Sequence, residues 1–329
     1  MTDLPRVYVT RHIPQAALDL LAQHVSLSVW PGEQPPPRAV VQKEAVTCDG
    51  LLTMVTDRVD AALLEAAPRL LVVSNYGVGY DNIDLAAATE QGVLVTNTPD
   101  VLTEATADLA FALILATARR LGEAEQYVKA GRWRFWGPEL LLGRELSGAT
   151  LGLVGLGRIG AAVARRAQGF GMHVLYHTPR PKPEAETGGL RHAPLEQLLA
   201  ESDIVSLHCP LNDDTYHLID RDALALLKPD ALLVNTARGS VVDTRALVEA
   251  LRQRPQMVAA LDVTDPEPMP ADHELLALPN ALVVPHIGSA TVQARTRMGT
   301  LAAQNLLAAL RGERPPSLVN PEAWGRRRT

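Results

Sequence analysis

The stretch LGLVGLGRIGAAVARRAQGFG, residues 151–171, decides how this chain folds. It opens on a short apolar run with the character of a strand (Leu151, Leu153, Val154) and continues into Gly155-Leu156-Gly157-Arg158-Ile159-Gly160. Beyond the glycines, Ile159, Val163, Ala167 and Phe170 return at helical spacing, so the pattern predicts strand, tight turn and helix. Each glycine has its own task in such a turn. Gly155 permits the change of direction, Gly157 lets a pyrophosphate come close to the backbone, and Gly160 lets the helix pack on the strand with its N-terminus facing the anion. A glycine turn also exists without a ligand, but the strand before and the helix after favour dinucleotide binding.

Composition sets the frame. A chain of 329 residues suits two domains, and 47% apolar residues with only 4% aromatics give both of them aliphatic cores. The net charge of -6 is spread over interspersed acidic and basic residues, which leaves no electrostatic footprint for nucleic acid. Arg326-Arg327-Arg328 is too short to change that. Cys48 and Cys209 lie far apart, with no CxxC or Cys/His cluster, so neither a disulfide framework nor a metal site is expected. The apolar run at residues 109–118 is too short for a bilayer and is flanked by Asp108 and Arg119, and the chain starts in a strand-like segment. These features predict a soluble cytoplasmic protein that binds neither nucleic acid nor membrane.

Strand-like and helix-like segments alternate at residues 6–9, 16–23, 25–29, 51–53, 61–66, 70–74, 85–91 and 93–97, which predicts a parallel sheet covered by helices. Residues 31–38, with Pro35-Pro36-Pro37, read as a loop. Asn75-Tyr76-Gly77-Val78-Gly79-Tyr80-Asp81 is a glycine-spaced turn at the carboxyl end of a strand, either an ordinary turn or a ligand site. A nearly all-apolar helix over residues 103–120 calls for burial on every face, between domains or subunits. Trp133-Arg134-Phe135-Trp136 and Leu140-Leu141-Leu142 break the alternation, as core filler or as an oligomer arm. The βα rhythm resumes with strands at residues 173–176, 204–208, 231–235, 257–263 and 281–284, and a final helix over 291–310 stops at Arg311-Gly312 ahead of Pro315-Pro316.

Three polar residues each follow a predicted strand of the second half: Arg238, Glu267 and His286. Singly, they fit a surface charge, a loop carboxylate and a satisfied core histidine. In a parallel sheet, however, their strands end on the edge that carries the glycine turn, which brings the three residues beside a bound dinucleotide.

Their segments are also distinctive. Residues 235–239 (NTARG), 260–268 (ALDVTDPEP) and 285–291 (PHIGSAT) resemble the signature segments of the D-isomer-specific 2-hydroxyacid dehydrogenases, and the resemblance runs from Leu51 to Glu313. It implies an α/β protein of two doubly wound, Rossmann-like domains: a cofactor domain of residues 100–287 set into a substrate domain of residues 1–99 and 288–329, with the active site in the cleft. It further implies reduction of small 2-keto acids, glyoxylate to glycolate and hydroxypyruvate to D-glycerate. In that scheme His286 donates the proton, Glu267 favours the imidazolium and orients the ring, and Arg238 contacts the substrate carboxylate and carbonyl oxygen through a planar fork that lysine lacks. Backbone N–H groups of Val78 and Gly79 complete the carboxylate site, Leu52 and Met54 line the pocket, and Trp136 reaches the site of a homodimer partner. Thr106 and Asp262 match positions near the nicotinamide and its ribose. Further cofactor contacts are expected at Arg158 and Ile159, at Cys209, Pro210 and Thr215, and at Thr236, Ala237 and Gly288. Phosphoglycerate dehydrogenation is a rival within the family, and a nucleotide-sensing, corepressor-like binding protein is a rival outside enzymology.

The chain departs from the common NAD pattern at one place. A carboxylate usually stands about 20 residues past the glycines, where it accepts from the ribose 2′-OH. Here the segment is His177-Thr178-Pro179-Arg180-Pro181-Lys182, and Arg180 is placed to pair with the extra phosphate of NADP. NADPH is therefore the expected cofactor, with NADH as a possible substitute; Arg180 and Lys182 as solvated loop cations is the alternative.

Overall fold

In the first half of the chain, segments of alternating and buried apolar residues form β1 (Arg6–Val9), α1 (Gln15–Ala22), β2 (Ser26–Val29), α2 (Arg38–Thr47), β3 (Gly50–Met54), α3 (Ala61–Glu65), β4 (Val72–Tyr76), α4 (Leu85–Glu90) and β5 (Leu94–Thr96). The computed structural model describes residues 4–328. They divide into two units, one taking the chain up to Leu102 and again from Ala290, the other Thr103–Ser289. The first unit holds a five-stranded parallel sheet in the order β2-β1-β3-β4-β5. Asp60 and Asp84 begin α3 and α4 by accepting the N–H groups of Leu63 and Ala87, which a helix start otherwise leaves unpaired. The closing helix Val292–Leu310, capped by Thr291, returns to this unit and packs on α1, β3 and β4.

Helix α2 follows Pro37 directly, because a proline ahead of the first turn forfeits no helical hydrogen bond. Leu52 corrects the sequence reading. It has no exposed surface, because alternation along β3 puts it on the face of Gly50, against which Leu306 of the closing helix packs at 3.4 Å from the Cβ direction. Its side chain is core rather than pocket lining, whereas Met54 is half-buried.

Polar side chains fasten the returning segment. Asn305 donates to the Asn97 carbonyl at 2.9 Å and accepts from Ser317 N–H at 3.0 Å. Asn320, 1% exposed, accepts from Val95 N–H at 2.8 Å and donates to the Val93 carbonyl at 2.9 Å.

The second unit begins with α5 (Thr103–Ala118) and α6 (Leu121–Lys129), then β6 (Thr150–Val154), α7 (Arg158–Gly169), β7 (His173–His177), α8 (Pro183–Thr187) and β8 (Arg191–His192). It continues through α9 (Leu195–Glu201), β9 (Ile204–Leu207), α10 (Arg221–Leu226), β10 (Leu232–Asn235), α11 (Thr244–Gln253), β11 (Val258–Leu261) and β12 (Ala281–Val283). All seven strands are parallel, in the order β12-β11-β10-β9-β6-β7-β8, with two aliphatic cores. Strand order reverses at β6, which lies between β7 and β9, and the glycine turn follows β6.

Two expectations change here. Helix α5 packs on α7 and is not buried all round: Glu104, Asp108 and Ala112 form an exposed stripe at four-residue spacing. Arg166 pairs with Glu104 at 2.8 Å and with Asp108 at 2.5 Å. The aromatic cluster is not core filler, since Trp133, Phe135 and Trp136 are 60%, 76% and 80% exposed. Among the described residues no helix is long and apolar enough to cross a membrane.

Replacing Asn320 with Ala strands the Val95 N–H and the Val93 carbonyl in the interior and should cost about 2–3 kcal/mol. Equilibrium urea unfolding checks this, and a loss below about 0.5 kcal/mol would show that the returning segment is not fastened there.

Candidate active site

The three glycines of the β6–α7 turn differ in the room around them, each in the way its task requires. Gly155 has φ +96°, and a Cβ there would lie 2.7 Å from Cys209 N and from the His208 carbonyl carbon, so the turn presses directly on the end of β9. A Cβ on Gly160 would collide with the Gly155 carbonyl oxygen. At Gly157 a Cβ would meet nothing within 4 Å. The open space is therefore at the N-cap of α7, where the helix dipole favours an anion. Arg158 and Ile159 form the first turn of α7, the former exposed. This surface fits the pyrophosphate of a dinucleotide.

Around it, the neighbouring strand ends are braced by their own side chains. His208 lies between the Ser206 hydroxyl at 2.9 Å and the Thr236 hydroxyl at 3.4 Å, and burial lowers its pKa to about 4, so it is a neutral ring in this contact. Burial raises the Cys209 thiol to about 11, which leaves it an uncharged side chain rather than a nucleophile. Thr215 closes its own turn by donating to the Pro210 carbonyl at 2.6 Å. Beyond β7, Arg180 is exposed. Lys182 is no solvated cation: its Nζ donates to the Leu156 carbonyl of the glycine turn at 2.6 Å, and its N–H donates to the Tyr176 hydroxyl at 2.8 Å.

Arg238, Glu267 and His286 leave β10, β11 and β12 at this same edge. Asn235 shapes the Arg238 loop, accepting from Ala237 N–H at 2.9 Å and donating to the Arg238 carbonyl at 2.8 Å. His286 Nδ1 lies 2.6 Å from Glu267 Oε1, with side chains 32% and 30% exposed. Burial raises the Glu267 carboxyl, but the hydrogen bond and charge of His286, the Thr264 N–H and the charge of Arg238 outweigh it and leave the carboxyl below its ordinary value. An ionised carboxylate has no proton to give, so Nδ1 carries the hydrogen of this contact and Nε2 is the nitrogen left for proton exchange.

Asp262, 2% exposed, accepts from Ile287 N–H at 2.6 Å and Gly288 N–H at 2.8 Å. Gly288 leaves little room for a side chain, a Cβ being 3.0 Å from Asp262 and 3.3 Å from the buried Thr106. This bracing holds His286 at φ +52°, a left-handed conformation that costs a non-glycine residue about 1–3 kcal/mol and that concentrates at functional sites. In the first unit, Asn97 donates to the Val78 carbonyl at 2.8 Å and Asn75 to the Gly79 carbonyl at 2.7 Å, which fixes the peptide planes of that glycine-spaced turn. His208, Asn235 and Lys182 were not among the residues expected from sequence to build the site; only the place of each beside a strand end was a signal.

This fold and edge define a dinucleotide-binding α/β protein, and comparison with known proteins places it in a family. Residues 111–288 match the family model described as D-isomer specific 2-hydroxyacid dehydrogenase, NAD binding domain. The chain is 50% identical over 320 residues to a glyoxylate reductase of Korarchaeum cryptofilum, covering 97% of this chain and 96% of the relative. Among solved structures, the TT0316 protein of Thermus thermophilus superposes with a TM-score of 0.90 at 51% identity, covering 95% of this chain and 99% of that one. The NADPH-dependent glyoxylate/hydroxypyruvate reductase of Sinorhizobium meliloti, in complex with NADP and malonate, gives 0.87 at 35% identity, covering 99% of this chain and 100% of that one. The chain belongs to the D-isomer-specific 2-hydroxyacid dehydrogenase family.

The pair makes a prediction that needs no substrate. Glu267 should titrate below 4.5 in carbon-detected NMR, and His286→Ala should raise its pKa, because the opposing effect of burial then loses its main counterweight. Since the folded carboxyl ionises at lower pH than the unfolded one, its contribution to stability is present above about pH 4.5 and disappears as pH falls through the folded value. An unchanged Glu267 titration in His286→Ala would show that the contact is not formed in solution.

Proposed function

We propose that the protein is an NADPH-preferring reductase of small 2-keto acids, acting on glyoxylate to form glycolate and on hydroxypyruvate to form D-glycerate. The observation that carries the reading is the 2.6 Å contact of His286 Nδ1 with Glu267, on the same sheet edge as Arg238 and the glycine turn. The glyoxylate reductases named among its relatives, at 50% identity, support the substrate class. A bound nicotinamide dinucleotide supplies the hydride. Arg238 holds the substrate carboxylate and polarises the carbonyl, and His286 Nε2 gives its proton to the carbonyl oxygen as the carbon is reduced. Glu267 stabilises the imidazolium beforehand and keeps the ring turned. Main-chain N–H groups of Val78 and Gly79 share the carboxylate, while Thr106, Thr236, Ala237 and the turn at Gly288 border the nicotinamide end. The reading extends to a cytoplasmic homodimer in which the exposed Trp133, Phe135, Trp136 and Leu142 are covered by the second copy and Trp136 borders its site. So large an exposed apolar patch favours a partner.

Loss of NADPH absorbance on adding glyoxylate, at about one turnover per second or more, is the expected result. Arg238→Lys keeps the charge but loses the fork, and should lower kcat/KM by about 30- to 1000-fold, or ~2–4 kcal/mol in transition-state stabilisation. Near-normal kinetics in the folded variant would remove Arg238 from the site.

Cofactor choice is tested separately. Arg180→Ala should raise KM for NADPH by about ten- to a hundredfold and leave NADH nearly untouched, with a smaller effect at high salt. Equal harm to both cofactors, or wild-type kcat/KM as good with NADH, would refute the role given to Arg180.

A further inference from the structure

Arg238 and Glu267 stand on separate loops, and their sheet strands do not by themselves fix the spacing of the two side chains. A contact set back from both of them joins the loops. The Ser240 hydroxyl donates to Asp265 Oδ2 at 2.6 Å, and the Asp265 carbonyl accepts from the Thr244 hydroxyl at 2.9 Å. Ser240 lies in the short 3₁₀ helix Gly239–Val241 that directly follows Arg238, and Thr244 opens α11. Asp265 is thus gripped through side chain and backbone by the segment that carries Arg238. The two backbones already touch, since a Cβ on Gly239 would collide with the Thr264 carbonyl and lie 2.7 Å from Asp265 N. On the other side, Thr264 N–H donates to Glu267 Oε2 at 3.2 Å and the Thr264 hydroxyl to the Pro266 carbonyl at 2.8 Å. A shift of Asp265 therefore reaches Glu267 within two residues.

We propose that Ser240 and Asp265 are positioning residues, a latch that sets the guanidinium of Arg238 relative to the Glu267–His286 pair. The latch rests on the reading of Arg238 as the clamp for a keto-acid carboxylate. A hydroxyl donating to a charged carboxylate makes a stronger and shorter bond than a neutral pair, which suits a contact that must hold two separate loops in one register. The glycine turn lies two strands from β10, beyond β9, so loosening the latch leaves the pyrophosphate surface in place and acts more on the substrate than on the dinucleotide.

Steady-state kinetics of Ser240→Ala, Ser240→Thr, Asp265→Ala and the Ser240→Ala/Asp265→Ala double variant test this, alongside NADPH fluorescence titration. In Ser240→Ala, KM for glyoxylate should rise about three- to tenfold with a smaller change in kcat and an unchanged NADPH dissociation constant. Ser240→Thr, which keeps the hydroxyl, should restore KM, and the double variant should be no worse than either single one, since both remove the same contact. Amide exchange at Val241 and Val242 should accelerate in Ser240→Ala. An unchanged KM, additive effects in the double variant, or equal weakening of NADPH and glyoxylate together with a lowered Tm would overturn the positioning role. A wild-type enzyme inert toward every 2-keto acid would refute the functional reading instead. The exchange rates would then still decide the latch, accelerated exchange supporting it and unchanged exchange ruling it out.

Discussion

Parallel strands all leave a sheet at one edge, and the chemistry of this chain depends on that constraint. In the second unit the glycine turn, His208, Arg238, Glu267 and His286 follow β6, β9, β10, β11 and β12, so residues more than a hundred positions apart share one rim. Because order reverses at β6, the loops after β6 and β9 diverge onto opposite faces and leave a crevice between them. The contact of Gly155 with Cys209 and His208 forms the floor of that crevice, and any side chain at position 155 or 160 would push it open. The first unit repeats the geometry on a smaller scale, with its own reversal at β1. There Thr10, after β1, donates to Asp57, after β3, and Asp57 in turn accepts from Met54 N–H at 2.8 Å.

The second requirement is that the rim be rigid. Loops on a sheet edge are mobile unless their backbone groups are taken up, and here most are taken up by side chains of the strands themselves. Asn235 donates to and accepts from the Arg238 loop, Asn97 and Asn75 donate to the Val78 and Gly79 carbonyls, and Asp262 holds the turn after β12. At Asn235 the amide serves as donor and acceptor at once, matching a peptide group. The left-handed conformation of His286 persists because these contacts over-determine it.

Legibility in the sequence follows from how local each signal is. Strand alternation, the GxGxxG spacing and the Thr291 start of the closing helix lie within a few residues of themselves, and both sheets and the edge placement of Arg238, Glu267 and His286 could be read from them. Helix α2 follows a run of prolines and turns only Val41 and Ala45 fully to the core, and α6 has no buried residue, so neither carries a strong apolar stripe. Leu52 and Met54 lie on one face of β3, and only the packing of the closing helix, about 250 residues further on, decides which of them is sealed. The aromatic cluster at residues 133–136 has the composition of core, and composition alone does not reveal that the described residues leave most of its surface exposed. Ser240 and Asp265 are ordinary loop residues until the fold brings them together across 25 positions.

Two carboxylates border His286, Asp262 buried and Glu267 partly exposed, and their opposite behaviour separates a brace of the backbone from a partner of the ring. Asp262 has its carboxyl raised: burial is the largest effect, and the N–H groups of Ile287 and Gly288, with the charge of His286, offset it only in part. Both of its oxygens are occupied by main-chain donors that cannot give up a proton. Glu267 is also penalised by burial, yet ends lowered, because its main partner is a ring that gains charge. A carboxylate held by amides keeps its shape whatever happens nearby, whereas one held by an imidazole is stabilised most when that imidazole is protonated. The turn is therefore anchored by Asp262 through main-chain hydrogen bonds that do not involve the His286 ring. Glu267 makes the hydrogen bond to the ring itself and is the carboxylate more strongly affected by its charge, while the main-chain contacts of Asp262 keep the turn in place.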